Sequence, residues 1–587
     1  MTDRREYMKE YKRQYRRRKR ENRLAPAKYF LSLSCRSVFD ADRLGGGAVT
    51  TWALVGNGVE ITGNGINELF EMFKSLDSRS DVFILNLSAW GRFFVAEAEK
   101  RGFKASKDAK KGQTFRIVVD SAGAWICVQL NVAGTSAYIK DLSGILKTSI
   151  ADALKAFAGV ELEDKASDVV IAQACEVCYN KFNDVVKRIA DGTELKASTV
   201  AGYARQLLYS IYGDGCCEFG RLKFREDFPE LPREIMDDVR TSKVYRSGLN
   251  YMPEKTCDYT GSGWCLDIKS FYPWIYTVQK LPFGQLYKRT PEEYYKKRGE
   301  MGVDEFYNNY YCIYKVVELS ATLAPGGVPC IQIINSRTQT NYLTKINFMG
   351  DVDFMLDSND LQALRENYDV DEFIFDYVYV AKKKAVPQLS EYAKRLFKIK
   401  EDNKNNALGI VAKYLINSIT GQFGANAYRR ETVIEDGRYK RLELEYKGES
   451  GYLPVAMFIN SFGRLTLARD IRIAGINDYI YGDTDSIFIK GYNGYLESLL
   501  GNKMGCYTAK RFTQSVFLKQ KCYGLNLENG WRWVVSGASP EMLKELTKNE
   551  FYAGAKLKGG AVPKMYPDGT IAFNEREFTL ARQKTLF

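Results

Sequence analysis

Two aspartates stand two apart in the segment Tyr479-Ile480-Tyr481-Gly482-Asp483-Thr484-Asp485-Ser486-Ile487-Phe488-Ile489. Apolar runs flank a tight Gly-Asp-Thr-Asp turn, so a hairpin with acids at its tip is predicted. Residues two apart in extended backbone point to the same side, which lets Asp483 and Asp485 project together. Paired carboxylates suit a hard cation such as Mg²⁺, which takes one or two of them and leaves room for substrate phosphates. A surface turn with two acids is the competing reading. Other residues weigh against it. Asp267 ends the apolar run Gly263–Leu266, ahead of a turn into a helix that carries Tyr272 and stops near Pro282. Lys413 and Asn417, four apart, share one face of a helix predicted over 407–419. A lysine there can meet a triphosphate as a point charge. Three carboxylates, a helix-borne lysine and a tyrosine, in that order, make a nucleotidyl-transfer site: metals activate a 3′-hydroxyl and stabilise the leaving pyrophosphate.

These parts must be held by a large scaffold. The chain has 587 residues, enough for several domains, and its 45% hydrophobic and 27% charged content is that of a globular protein. It contains no histidine, which excludes a Ser-His-Asp triad, a histidine base and histidine metal ligands. The charge is uneven: residues 1–23 hold 11 Lys/Arg against 4 Asp/Glu, a net +7 of the chain's +13. Such a basic arm is a footprint for a polyanion, with an idle solvated tail as the alternative. Cys175 and Cys178 fall on an apolar helical pattern, so core packing is preferred to a zinc site with Cys216 and Cys217. Residues 25–210 alternate strands (Trp52–Val55, Val82–Leu85) with helices (Ile66–Leu76, Phe93–Arg101), the pattern of an α/β unit. Beyond 211, long helices run among strand pairs. A hairpin turn is expected at Glu435–Arg438, and short strands from Asn549 onward.

At this point the chain resembles the family B DNA polymerases, in particular their protein-primed branch from phages and linear plasmids. Asp267–Pro273 is similar to that family's motif A, Lys413–Gly421 to motif B, Tyr481–Ser486 to motif C, and Lys521-Cys522-Tyr523 to its Lys-x-Tyr motif. The resemblance implies an α/β plus α+β fold: a ribonuclease-H-like exonuclease domain, then a right-hand polymerase of palm, fingers and thumb with two insertions. The implied order is a basic arm 1–24, exonuclease-like domain 25–210, linker and first palm segment 211–284, insertion 285–385, fingers 386–424, second insertion 425–453, second palm segment 454–530 and thumb 531–587. It implies Asp267 and Asp485 as principal metal ligands, Asp483 as a secondary one, and a metal-facing carbonyl on Ile268. Tyr272 would be the steric gate under the sugar. Lys413, Asn417 and Lys400 would bind the nucleotide, and Lys521 and Tyr523 the primer end. Two departures stand out. Thr420 replaces the usual Tyr before Gly421, and Ser247 replaces one glycine of a Tyr-x-Gly-Gly linker at Tyr245–Gly248.

The same resemblance implies a 3′→5′ exonuclease, with eroded motifs. Phe39-Asp40-Ala41-Asp42 is similar to its first motif, Asn86–Trp90 to its second with Trp90 in a ligand's place, and Ala172–Glu176 to its third. An indole cannot ligate Mg²⁺, so editing is expected to be weak or lost. The overall expectation is DNA-templated DNA synthesis with two Mg²⁺ ions (Mn²⁺ as an alternative), template and primer DNA, dNTPs and a terminal protein as primer. The chain would act as a monomer or as a heterodimer with that protein. No apolar run approaches a membrane span, and a cytoplasmic, nucleoid-associated place is expected. An RNA-making polymerase and a non-catalytic replication scaffold are the alternatives; Tyr272 and the Asp-Thr-Asp turn argue against the first, the intact carboxylates against the second.

Overall fold

The computed structural model of the chain describes residues 26–582 apart from 41–42, 78, 106–112, 120–123, 133, 164, 337–338, 351–352, 405, 426–428, 436–437, 445–450, 492–493, 539, 545 and 566–570. Side chains are also left out at 35–47, 334–340, 429–444, 540–541 and 559–576. The basic arm, Asp42 and the tip of the 425–453 segment therefore lie outside the described residues.

Contacts divide the chain into two units: residues up to Phe182 with Arg429–Leu444 and Val562–Asn574, and the remainder. In the first unit, alternating apolar residues build a mixed sheet. Strand Ala27–Asp40 pairs antiparallel with Arg43–Gly56 and parallel with Arg79–Ile84, Leu31 lying opposite Ile84. Arg79–Ile84 pairs parallel with Thr135–Asp141, and the sheet continues through Trp125–Val132 and Thr114–Val119 to the hairpin Arg429–Leu444. Parallel neighbours need a crossover, and helix Gly65–Lys74 lies in the connection between the first pair. Its Leu69, Phe70 and Phe73 join Phe94 of helix Leu87–Lys100 in one apolar core with Leu31, Val82 and Ile84. Cys175 and Cys178 are fully buried on helix Asp168–Ile189, and burial pushes their thiols up to about 12 and about 11. They pack as apolar side chains.

The second unit is organised around a four-stranded antiparallel sheet in the order Tyr479–Asp483, Ser486–Ile489, Gly263–Ile268, Tyr507–Phe512. The acidic hairpin read from sequence is its first two strands. The helix predicted over 407–419 is Ala407–Phe423, capped by Asn406, and a second helix, Pro387–Asp402, precedes it. The break between them is flanked by Asn403, whose side-chain amide donates to the carbonyl of Ile399 at 3.0 Å, and Asn406, whose side-chain oxygen accepts from the amide of Leu408 at 3.0 Å; Asn side chains compete for backbone hydrogen bonds. Between the carboxylate segments, strands Leu281–Arg289, Tyr368–Lys384, Tyr310–Leu323 and Lys345–Met349 form a separate sheet.

A buried ionic cluster joins three of these pieces. Asp360 of helix Ser358–Asn367 accepts from Arg246 at 3.0 Å through one oxygen and from Arg464 of helix Leu453–Ala474 at 2.6 Å through the other. Arg464 also donates to the carbonyl of Ser247 at 2.6 Å. Asp357 caps the helix Ser358–Asn367, accepting from the amides of Asn359 and Asp360 and from the Tyr311 hydroxyl. Burial, then the charge of Asp360, pushes the Asp357 carboxyl up to about 7, against the pull of Arg464. The folded protein thus keeps a proton that the unfolded chain releases near the ordinary carboxyl value of 3.8. Its stabilising share is whole below that value and is lost as pH rises through about 7. Asp357→Asn is expected to flatten the melting temperature between about pH 4 and about pH 7; a slope equal to that of the wild type would show that Asp357 is ionised in the fold.

Candidate active site

Three carboxylates meet at one end of the antiparallel sheet because of its register. Asp483 lies opposite Ser486, and Ser486 lies opposite Asp267 on the next strand. Asp485 occupies the turn between them. Its amide donates to the carbonyl of Asp483 at 2.7 Å, and its own carbonyl accepts from the amide of Ile268 at 2.9 Å. Motifs far apart in sequence are therefore tied main chain to main chain. Thr484 adopts a left-handed φ of 66°, which is strained for a β-branched residue. The linker holds it there: the Thr484 amide donates to the carbonyl of Leu249 at 2.7 Å, and the Gly482 amide to that of Tyr251 at 2.9 Å.

The electrostatics follow from crowding like charges. Burial, then the charges of Asp267 and Asp483, pushes the Asp485 carboxyl up to about 7. The protein around Asp267 raises its carboxyl too, against Lys510, Lys400, Arg532 and Lys413. Asp483 is drawn aside by an ion pair with Lys521 at 2.7 Å. Among the described residues no group of three or more His, Cys, Asp or Glu side chains is gathered tightly enough to cage an ion by itself. That is compatible with a hard cation completed by substrate phosphates, which needs one or two carboxylates and relieves their repulsion. The donor set fits such an ion.

Around the acids, Tyr272 sits in the first turn of helix Phe271–Val278, wedged between two glycines. A Cβ at Gly248 would come within 2.7 Å of the Tyr272 hydroxyl and 3.1 Å of the Thr484 Cα, and one at Gly463 within 3.2 Å of the Tyr272 ring. Lys413 and Asn417 are both exposed on one helix face. Lys400 donates to Ser270 at 2.9 Å, and burial lowers its ammonium. Tyr523 is buried against Tyr481 and Phe488. Thr420, the departure in the second block, is buried and hydrogen-bonded to Tyr276 of the helix carrying Tyr272. Sequence reasoning missed Arg464, Asp360, Lys510 and Arg532; nothing in local spacing marks a residue whose partner lies a hundred positions away.

The comparisons with known proteins bear on this arrangement. Residues 166–487 match the family model for DNA polymerase type B, organellar and viral. The chain belongs to that family. It is a DNA-directed DNA polymerase of viral type, and family B polymerases use divalent metal ions. The DNA polymerase of Bacillus phage phi29 is 24% identical over 550 residues, covering 87% of this chain and 92% of that protein. That of Streptococcus phage Cp-1 is 24% identical over 482 residues, 78% and 81% of the two chains. The solved structure of phi29 DNA polymerase with primer-template DNA and incoming nucleotide superposes with a TM-score of 0.76 at 19% identity, covering 95% of this chain and all of that one. Its orthorhombic crystal form gives 0.78. The polymerase therefore has the expected exonuclease-plus-right-hand fold. No helix among its described residues is long and apolar enough to cross a membrane.

The exonuclease-like unit of this polymerase is arranged differently from the expectation. Asp40 pairs with Arg43, nine positions beyond Leu31, while Leu31 lies opposite Ile84 just before Asn86. The strands are parallel and Asn86 lies two residues past Ile84, so at strand rise Asp40 and Asn86 are offset by about seven residues, on the order of 20 Å. Asn86 is exposed with a left-handed φ of 54°, and Trp90 stacks on Phe93. Glu176 is half-buried on its helix, and Ala172 is buried against Ala53 and Val55. The structure does not bring Asp40, Asn86 and Glu176 together. What it brings together is a carboxylate that sequence reasoning passed over. Asp168 accepts from the hydroxyls of Ser32 at 2.8 Å, Ser34 at 3.1 Å and Thr51 at 2.7 Å. Its only sequence signal is an acid in the first turn of a helix. Asp141, likewise missed, caps the start of helix Leu87–Lys100 and has its carboxyl raised by burial.

Proposed function

We propose that the polymerase extends a hydroxyl presented first by a terminal protein and then by the growing DNA strand, using Asp267, Asp485 and secondarily Asp483 to hold Mg²⁺. The observation that carries the reading is the register that stacks Asp267, Ser486 and Asp483 across the sheet end, with Asp485 tied to Ile268. Two divalent ions bound there would neutralise the attacking oxygen and the leaving pyrophosphate. Lys400 and Lys413, both acting electrostatically on Asp267, stand on the fingers helices to receive the triphosphate, and Asn417 shares the exposed face of Lys413. Lys521, exposed and paired with Asp483, and Tyr523 behind it would seat the primer end. The sheet of 285–385 would meet the priming protein, and the basic arm would add salt-sensitive DNA affinity.

The test is a 5′-labelled primer on a longer template, incubated with Mg²⁺ with and without dNTPs. Extension that requires dNTPs supports the reading; a bound but unextended duplex would move the assignment to a scaffold. Tyr272, fixed between Gly248 and Gly463, is proposed to reject a 2′-hydroxyl. Tyr272→Val is expected to raise ribonucleotide incorporation by about a hundredfold, the order of a few kcal/mol of steric selection. Unchanged dNTP-to-rNTP selectivity would remove it as the gate. Editing is proposed to be absent, since the Asp168 carboxylate is satisfied by three hydroxyls and two-metal hydrolysis needs free carboxylates. No Mg²⁺-dependent shortening of single-stranded DNA is expected; rapid shortening abolished by Asp168→Ala would refute this.

A further inference from the structure

Glu401, at the end of helix Pro387–Asp402, is the meeting point of three lysines from two parts of the polymerase. One of its oxygens lies 2.9 Å from Lys404 and 3.8 Å from Lys269, and the other 3.6 Å from Lys400. Lys269 directly follows Asp267-Ile268 and is also held by Asn502 at 3.1 Å. Lys400 is anchored on Ser270 at 2.9 Å, and Lys413 acts electrostatically on both Lys400 and Asp267. Long, strongly hydrated lysines on a surface ordinarily spread apart. Here several converge beside the catalytic carboxylates with one acid between them, and that acid leaves the group strongly positive.

We propose that Glu401 is a placeholder: in the free enzyme its carboxylate stands in for a phosphoryl group of the incoming nucleotide, and the triphosphate displaces it. The proposal rests on the reading of Asp267 and Asp485 as the polymerase site. A single carboxylate keeps the ammonium groups gathered and poised before substrate arrives. A polyphosphate offers the same lysines more charge and more acceptor oxygens, so it wins the exchange, and Glu401 then repels it. The repulsion acts equally on the departing pyrophosphate. Glu401 would therefore weaken nucleotide binding and hasten pyrophosphate release. A merely structural role predicts the opposite sign, because removing a brace from Lys400 and Lys269 would misplace them and weaken binding.

The full-length protein, Glu401→Gln and Glu401→Asp are compared in single-nucleotide insertion on a primer–template, with KM for dATP and kcat measured separately. Inhibition by inorganic pyrophosphate, and direct binding of tripolyphosphate at fixed ionic strength, are read alongside. Glu401→Gln is expected to lower the dATP KM and to tighten pyrophosphate and tripolyphosphate binding by roughly three- to tenfold, the effect of one screened charge. Glu401→Asp, which keeps the charge, should stay near the wild type and secures the comparison if the amide variant folds poorly. An unchanged or raised KM for Glu401→Gln, where the wild type extends primers, overturns the placeholder role and leaves the site reading standing. A wild type that extends nothing overturns both.

Discussion

Asp485→Ala is expected to reduce primer extension by about a thousandfold or more, the scale of losing several kcal/mol of charge stabilisation in the transition state. Asp485 is the most crowded acid of the site: half-buried in the turn, with its carboxyl pushed up to about 7 by burial and then by Asp267 and Asp483. Its main-chain ties to Asp483 and Ile268 involve no side-chain atom, so alanine keeps the hairpin intact. The raised carboxyl has a consequence for stability. A group whose folded value is raised contributes stability that is lost as pH climbs through about 7, so its ionised form opposes folding above that point. The variant should melt no lower than the wild type above neutral pH while failing to extend. Rates from single-nucleotide insertion, with duplex binding and melting measured on the same samples, check both halves. Extension within tenfold of the wild type would remove Asp485 from the catalytic set.

Arg464→Ala is expected to cost about 3–5 kcal/mol, as for other buried ion pairs that lose one partner. The guanidinium is fully buried, bonded to Asp360 at 2.6 Å and to the carbonyl of Ser247 at 2.6 Å. Its loss leaves Asp360 with Arg246 alone and opens a cavity the size of the side chain. The effect should reach the active site, because the segment Arg464 restrains continues into Gly248, Leu249 and Tyr251. Gly248 abuts Tyr272 and Thr484, and the carbonyls of Leu249 and Tyr251 hold the Asp-Thr-Asp turn. Nucleotide insertion should therefore fall even at temperatures where the variant is folded. When Asp360→Asn is added, the Asp360–Arg464 pair is lost only once, so the combined loss should fall short of the sum of the two single losses, giving a coupling energy in a double-mutant cycle. Additive losses would show that the two side chains act independently. Denaturant unfolding followed by tryptophan fluorescence is a suitable readout, treated as multi-state because the chain has two units.

The polymerase chemistry was legible in the chain because its parts are local. A hairpin of apolar strands around Gly482-Asp483-Thr484-Asp485 is dictated by side-chain alternation and turn chemistry. The one-faced placement of Lys413 and Asn417 follows from helical periodicity alone. The same locality explains the expected strands at Trp52–Val55 and Val82–Leu85, which lie within strands Arg43–Gly56 and Arg79–Ile84 apart from Leu85, one residue past the end. Composition likewise excluded histidine chemistry without any structure. Tertiary structure decided which residues meet across long stretches of chain. Asp360 and Arg464 are 104 positions apart, and no period or cap connects them; only the packing of two helices does. The exonuclease-like unit makes the point most sharply. A motif-shaped Phe39-Asp40-Ala41-Asp42 drew attention to the far end of its strand. The parallel register of Leu31 with Ile84 set Ser32 and Ser34 beside Asp168 instead. Strand register is set by the burial of a whole face, a sum over many side chains that no short motif contains.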